Sequence, residues 1–296
     1  MKKTSIGGQA LIEGIMMRGP SKIAIAVRKP NNEIETKVEP VNSLTQKNKF
    51  FGLPFIRGVV ALGEAMVIGV SSLMYSASFW EEDGQEGSGE LTGLQTFGLI
   101  GSSFLLAVLL FMVLPNLITS FFMRFTESPL LLNIIEGILR LVFFFIYLIY
   151  VSKLEDIKRV FEYHGAEHKS IHCYENGLEL TVENIKKFPI MHKRCGTSFL
   201  FMVMFISIIV LSFFGWPSLL YRILSRIIAL PIVSGISYEV NKLIGKYDNK
   251  LCSTLAYPGL MIQKLATVKE PDDSQIEVAI EALKLVLPKE GEDDSW

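Results

Sequence analysis

The sequence predicts a mainly α-helical, polytopic membrane protein: about four spans plus an interfacial or re-entrant helix, with a small cytosolic cap containing an N-terminal β-hairpin. Three observations carry this. Half of the 296 residues are hydrophobic, and they fall into long blocks instead of being spread for burial in a soluble core. Four blocks, near 97–123, 130–152, 199–215 and 218–236, approach or exceed the ~20 apolar residues that cross a bilayer. The basic residues collect in one connection between those blocks.

In chain order, residues 1–54 form a cytosolic N-terminal segment. Its KIAIAVR (22–28) and EIETKVEPV (33–41) alternate around the turn KPNN and predict a β-hairpin. The run at 55–80 is long enough to span, but Arg57 and Glu64 interrupt it and glycines recur at 58, 63 and 69. It is expected to be interfacial or re-entrant. An acidic stretch follows at 81–90. Residues 97–152 make the first transmembrane hairpin, 153–198 a cytosolic His/Cys segment, and 199–236 the second hairpin, whose first span is only 17 residues (199–215). The remaining 237–296 is a cytosolic C-terminal segment. In it, SQIEVAIEALKLVL (274–287) reads as an amphipathic helix opening with a capping box from Ser274 to Glu277.

Orientation follows from the lysines and arginines. Segment 153–198 holds Lys153, Lys158, Arg159, Lys169, Lys186, Lys187, Lys193 and Arg194, whereas 124–129 offers only Arg124. The positive-inside rule puts 153–198 and both termini in the cytoplasm. A net charge of −1 argues against a nucleic-acid partner. Three cysteines are too few and too scattered for a secreted disulfide framework.

All four histidines lie within 164–192, three of them in YHGAEHKSIH (163–172). His164 and His168 stand four apart, so on a helix they share one face and can converge on one ion. His164-x-x-Glu167-His168 also has the H-x-x-E-H order in which two histidines hold zinc and the glutamate takes a proton from the attacking water. His192, Cys195 and Glu239 are the candidates for a further ligand, and His192 and Cys195 are spaced to chelate from one helical turn. Four protein ligands (His164, His168, His192, Cys195) would make a structural zinc site; three plus water would make a catalytic one. The plainer alternative is that these histidines hydrogen-bond the cap and the headgroups.

Charge also falls inside the apolar blocks. Arg140 lies about 15 Å along the second span, near the midplane, with Glu136 four residues before it. The fourth span carries Arg222 and Arg226 ahead of Pro231. Glu136, Arg140, Arg222 and Arg226 are the candidates to line a polar groove between spans, with snorkelling to the outer interface the favoured alternative for Arg222.

GGQALIEGIMMRGP (7–20), EYHGAEHKSIHCYENGLELTVENIKKF (162–188), HKRCGTSF (192–199), LPIVSGISYEV (230–240), PGLMIQKLAT (258–267) and IEVAIEALK (276–284) together resemble the signature blocks of the YqhQ-like bacterial membrane proteins. The resemblance covers essentially the whole chain. It implies a bacterial cytoplasmic-membrane protein with motif residues His164, Glu167, His168, His192 and Cys195, and leaves the activity open. Two functions are compatible with the residues. One is a hydrolase using zinc or another divalent metal on a lipid or peptide at the cytosolic face. The other is a non-catalytic scaffold or chaperone, whose partners beyond the bilayer would be other membrane proteins.

Overall fold

Alternation along the N-terminal segment builds more sheet than the hairpin it announces. The computed structural model describes residues 3–80, 93–216, 218–289 and 292–295, so the acidic stretch at 81–90 lies outside the described residues. Four antiparallel strands, β1 (Gly7–Leu11), β2 (Gly14–Arg18), β3 (Lys22–Arg28) and β4 (Ile34–Pro40), form a meander in sequential order. The β3–β4 pair is the expected hairpin, with Arg28 opposite Ile34. Strands β1 and β2 were not anticipated. Their glycines dilute the apolar alternation that marks a strand.

Both faces of β2 and β3 are covered, successive side chains pointing to opposite sides, while β4 is largely exposed. Ile15, Met17, Ala24 and Ala26 pack on one side with Tyr163, Ala166, Ile276, Ala279 and Leu283. Met16, Ile23, Ile25 and Val27 pack on the other with Ile68, Tyr75 and Phe79.

The helices are α1 (Leu44–Lys47), α2 (Ile56–Ala77), α3 (Gly93–Val108), α4 (Leu114–Phe122), α5 (Pro129–Val151), α6 (Glu155–Glu175), α7 (Val182–Lys186), α8 (Gly196–Ser212), α9 (Leu219–Lys246), α10 (Lys250–Ile262) and α11 (Asp273–Val286). A π-helical turn, Leu109–Val113, joins α3 to α4, and another, Gln263–Thr267, ends α10. Ile56–Ala77, Gly101–Phe122, Pro129–Val151 and Leu220–Lys246 are long and apolar enough to cross a membrane. The expected third span becomes the 17-residue α8, shorter than those four. It is wedged among neighbours: a Cβ on Gly137 of α5 would meet Ile208, and one on Gly259 of α10 would meet Ser198.

Helix α2 has the length of a span, yet it touches the cap along its course. Glu64 accepts hydrogen bonds from Ser43 and the Leu44 amide, Gln9 donates to the Gly69 carbonyl, and Tyr75 and Phe79 lie on the sheet. Its opposite face exposes Met66, Val67, Val70, Leu73 and Met74.

The capping box of α11 is Asp272 with Gln275, not Ser274 with Glu277. The helix begins two residues earlier than the apolar pattern suggests, because Asp272 caps at least as well as serine. Ser274 instead donates to the Asp272 carboxylate at 2.6 Å.

Candidate functional site

Helix α6 carries the histidine motif, as its spacing predicts, and buries it where the cap meets the bundle. Gly165 lies inside this helix, where glycine costs about 1 kcal/mol relative to alanine. The reason for it is close approach: a Cβ there would stand 2.0 Å from the Lys269 carbonyl oxygen. That proximity brings the 267–271 segment against the helix, so that His164 Nδ1 reaches the Thr267 carbonyl at 2.9 Å. His168 Nδ1 likewise donates to the Ile190 carbonyl at 2.5 Å.

Pinning Nδ1–H to a backbone carbonyl fixes the tautomer and leaves Nε2 as a free base, the arrangement by which proteins orient metal-ligating histidines. His164 Nε2 points at Cys195 Sγ, 3.2 Å away. His168 Nε2 has no hydrogen-bond partner among the described residues. Ligand atoms of His164, His168 and Cys195 all fall within 4.8 Å of one another. Burial works to raise the Cys195 thiol, but nearby His168 and the Thr197 hydroxyl and amide outweigh it and hold the thiol below its ordinary value. Burial pushes His168 down to about 4, which keeps the ring neutral.

Glu167 is buried beside this triad. One carboxylate oxygen accepts the Gly8 amide at 2.9 Å; the other has no partner among the described residues. Burial pushes Glu167 up to about 7, with the Cys195 charge adding and His164 and the Gly8 N–H opposing. Glu167, His164, His168 and Cys195 line a cavity of about 100 Å³ whose wall includes Ser5, Gly7 and Gly8. Those same three residues border a cleft of about 490 Å³ that reaches Arg18, Ile68 and Tyr238.

His192 is not in this triad. Its ring centroid lies 5.5 Å from that of His168 and 4.7 Å from that of His172, and it groups with His172 and Glu175. Burial again lowers His192, to about 4. Arg194 is hydrogen-bonded to Glu175 in that second group, and a resident guanidinium disfavours a divalent cation there. His192 and Cys195 do not share a helical turn: Cys195 is the N-cap of α8, and His192 lies in the preceding turn. Glu239 is no part of the site. It sits on α9, where Arg57 takes both carboxylate oxygens, at 2.7 and 2.5 Å, and the Phe55 amide adds a third bond. His172, four residues beyond His168 and on the same helical face, joins the second group and not the triad; Glu175, Arg194 and the Gly8 amide lie outside the H-x-x-E-H motif, and its spacing gives no sign of them.

The intramembrane charges assemble as a second cluster. Glu136 receives Arg140 at 2.8 Å and Arg226 at 2.5 Å. Arg226 also donates to Asn133 at 3.0 Å, and Arg140 to the Phe111 carbonyl of the π-helical turn at 3.1 Å. Arg222 does not snorkel; it is 4% exposed, donating to Ser120 at 3.0 Å beneath the Trp216 ring.

Fold and clusters together define a multi-pass helical membrane protein with a His/Cys-bearing cap. A family model described as "Protein of unknown function (DUF1385)" matches residues 53–289. The "Uncharacterized protein YqhQ" of Bacillus subtilis (strain 168) is 34% identical over 298 residues, covering 95% of this chain and 92% of its own. The chain belongs to this YqhQ-like family. No solved structure matches it.

Proposed function

We propose that the protein is a metal-dependent hydrolase of the bacterial cytoplasmic membrane, acting on an amphiphilic lipid or peptide at the cytosolic surface. The observation that carries this is the three-ligand set His164, His168 and Cys195 beside a glutamate with one unused carboxylate oxygen. Three protein ligands leave a coordination position open, whereas a structural site closes with four. His192, the residue that would close it, is turned toward Glu175 and Arg194 instead.

Zinc or another divalent metal bound there would supply Lewis-acid polarisation of the substrate. The chain's own residues do the rest. His164 and His168 are held in the ligating tautomer by Thr267 and Ile190. Glu167 is oriented by the Gly8 amide and accepts a proton from the attacking water, then returns it to the leaving group. The cleft over Gly7 and Gly8 gives a substrate its approach. The basic residues of 153–198 favour a cytosolic cap and cytosolic termini, and the exposed apolar face of α2 suits a helix lying in the interface. The scaffold reading has less support, because Arg140 and Arg226 are spent on Glu136 and are not free to meet a client segment.

The test is elemental analysis of the gently purified protein joined to complementation of a deletion strain. About one equivalent of divalent metal should be present and should be lost in the His164→Ala/His168→Ala variant. Glu167→Gln should keep metal and fold yet fail to complement. Full complementation by Glu167→Gln, with failure of the histidine variant, would leave a structural metal only. A metal-free wild type would end the reading.

A further inference from the structure

The Glu136 cluster balances poorly: three guanidiniums (Arg140, Arg222 and Arg226) surround one carboxylate. Arg226 and Arg140 are paired with it, so the surplus falls on Arg222. Its Nη2 donates to Ser120, but its Nε and Nη1 are buried with no hydrogen-bond partner among the described residues. The indole Nε1 of Trp216, whose ring lies 4.4 Å from the Arg222 guanidinium carbon, is also buried and has no hydrogen-bond partner among the described residues. Three donor nitrogens, on Arg222 and Trp216, left open cost several kcal/mol if nothing accepts their protons. A guanidinium with open N–H groups, stacked on an indole whose own N–H is open, suits a multi-oxygen anion.

The position in the fold says which anion. Arg222 is the fourth residue of α9, whose opposite end, at Gly245 and Lys246, reaches the cap through Lys3. Ser120 is near the end of α4, and Trp216 follows α8. The site therefore lies at the bundle end away from the cap. A half-buried tryptophan at the end of an apolar helix, with a buried arginine against its ring, sits at headgroup depth, where the abundant anion is a phosphodiester. We propose that Arg222 and Trp216 bind the phosphate of a phospholipid headgroup in the leaflet opposite the cap, with Arg226 adding to the field. This site is independent of the metal centre.

The test measures lipid binding to the detergent-purified, full-length protein by native mass spectrometry and by thermal shift. The probes are dioleoyl phosphatidylglycerol, dioleoylglycerol (the same chains without phosphate) and inorganic phosphate. Wild type should retain and be stabilised by the phospholipid but not by dioleoylglycerol. Arg222→Gln should bind the phospholipid at least about tenfold more weakly, the loss expected for charge-assisted hydrogen bonds. Trp216→Phe keeps the ring and removes only the N–H, so it should fold normally and show a smaller loss; this variant decides the matter should Arg222→Gln fail to fold. Equal phospholipid binding by wild type and both variants would overturn the proposal. Stabilisation by inorganic phosphate equal to that by phospholipid would overturn the lipid assignment and leave a free-anion site.

Discussion

The cap and the bundle each bury a polar cluster, and the open groups of the two are mainly of opposite kinds. In the cap the loose ends are bases: His168 Nε2 and one oxygen of Glu167. In the bundle they are mainly N–H donors, on Arg222 and Trp216, with the Asn116 side-chain oxygen an open acceptor beside Glu136. Open bases invite a cation and open donors an anion, so the same kind of defect points to two different ligands. A second contrast is that the cap cluster is made of neutral rings locked by backbone carbonyls, whereas the bundle cluster is made of full charges that lock one another. Neutral rings are replaceable at modest cost; a buried ion pair broken on one side is not.

The largest effect should therefore come from Glu136→Gln, which leaves Arg140 and Arg226 without their shared anion. Thermal unfolding in detergent should show a loss of about 3–5 kcal/mol, partly recovered by adding Arg226→Met. A cost near that of a surface change would erase the contrast between the two clusters. Gly165→Ala should follow, at roughly 1–3 kcal/mol of overpacking, because its Cβ meets the Lys269 carbonyl. It should also weaken metal retention, since the displaced segment holds His164 through Thr267.

A pH series on chelator-treated protein sharpens the comparison. His168 and His192 titrate at about 4 when folded and near 6.5 when unfolded. The unfolded chain thus binds more protons between those values, and the cap should lose stability as pH falls through that window. Glu167, raised to about 7, acts the other way: it costs stability as pH rises from its unfolded value, about 4.3, towards 7. Acidification from pH 7 to 5 should still destabilise the cap, since two histidines outweigh one glutamate. Replacing both histidines with glutamine should reverse the slope. The smallest effect is expected for Lys158→Ala, whose pair with Glu155 is exposed and should change stability by less than about 0.5 kcal/mol.

Much of this was legible in the residues, and the exceptions have physical causes. Helical spacing sufficed for His164, Glu167 and His168, because all three lie on one helix. It failed for Glu239, since a candidate ligand chosen by residue type alone says nothing of competing partners, and Arg57 was that partner. Hydropathy found the apolar blocks but misjudged Arg222, because snorkelling assumes a lone side chain and the Trp216 ring covers this one. Strands β1 and β2 escaped because a sheet covered on both faces by helices does not need the amphipathic alternation that a half-exposed one shows.

The core that closes the cap joins residues 6–26 to residues 276–286, with every membrane helix between them in the chain. During synthesis the early strands emerge long before their cover exists, since domains fold as their parts leave the ribosome. That face of the sheet must wait for its full cover until the bundle has been inserted and α11 has appeared. A chain truncated before residue 273 would carry a complete set of membrane helices beneath a sheet with part of one apolar face exposed, and an exposed apolar patch is an aggregation liability. Quality control of this protein should therefore read the cap, with the state of the bundle a poor guide to whether the molecule is finished.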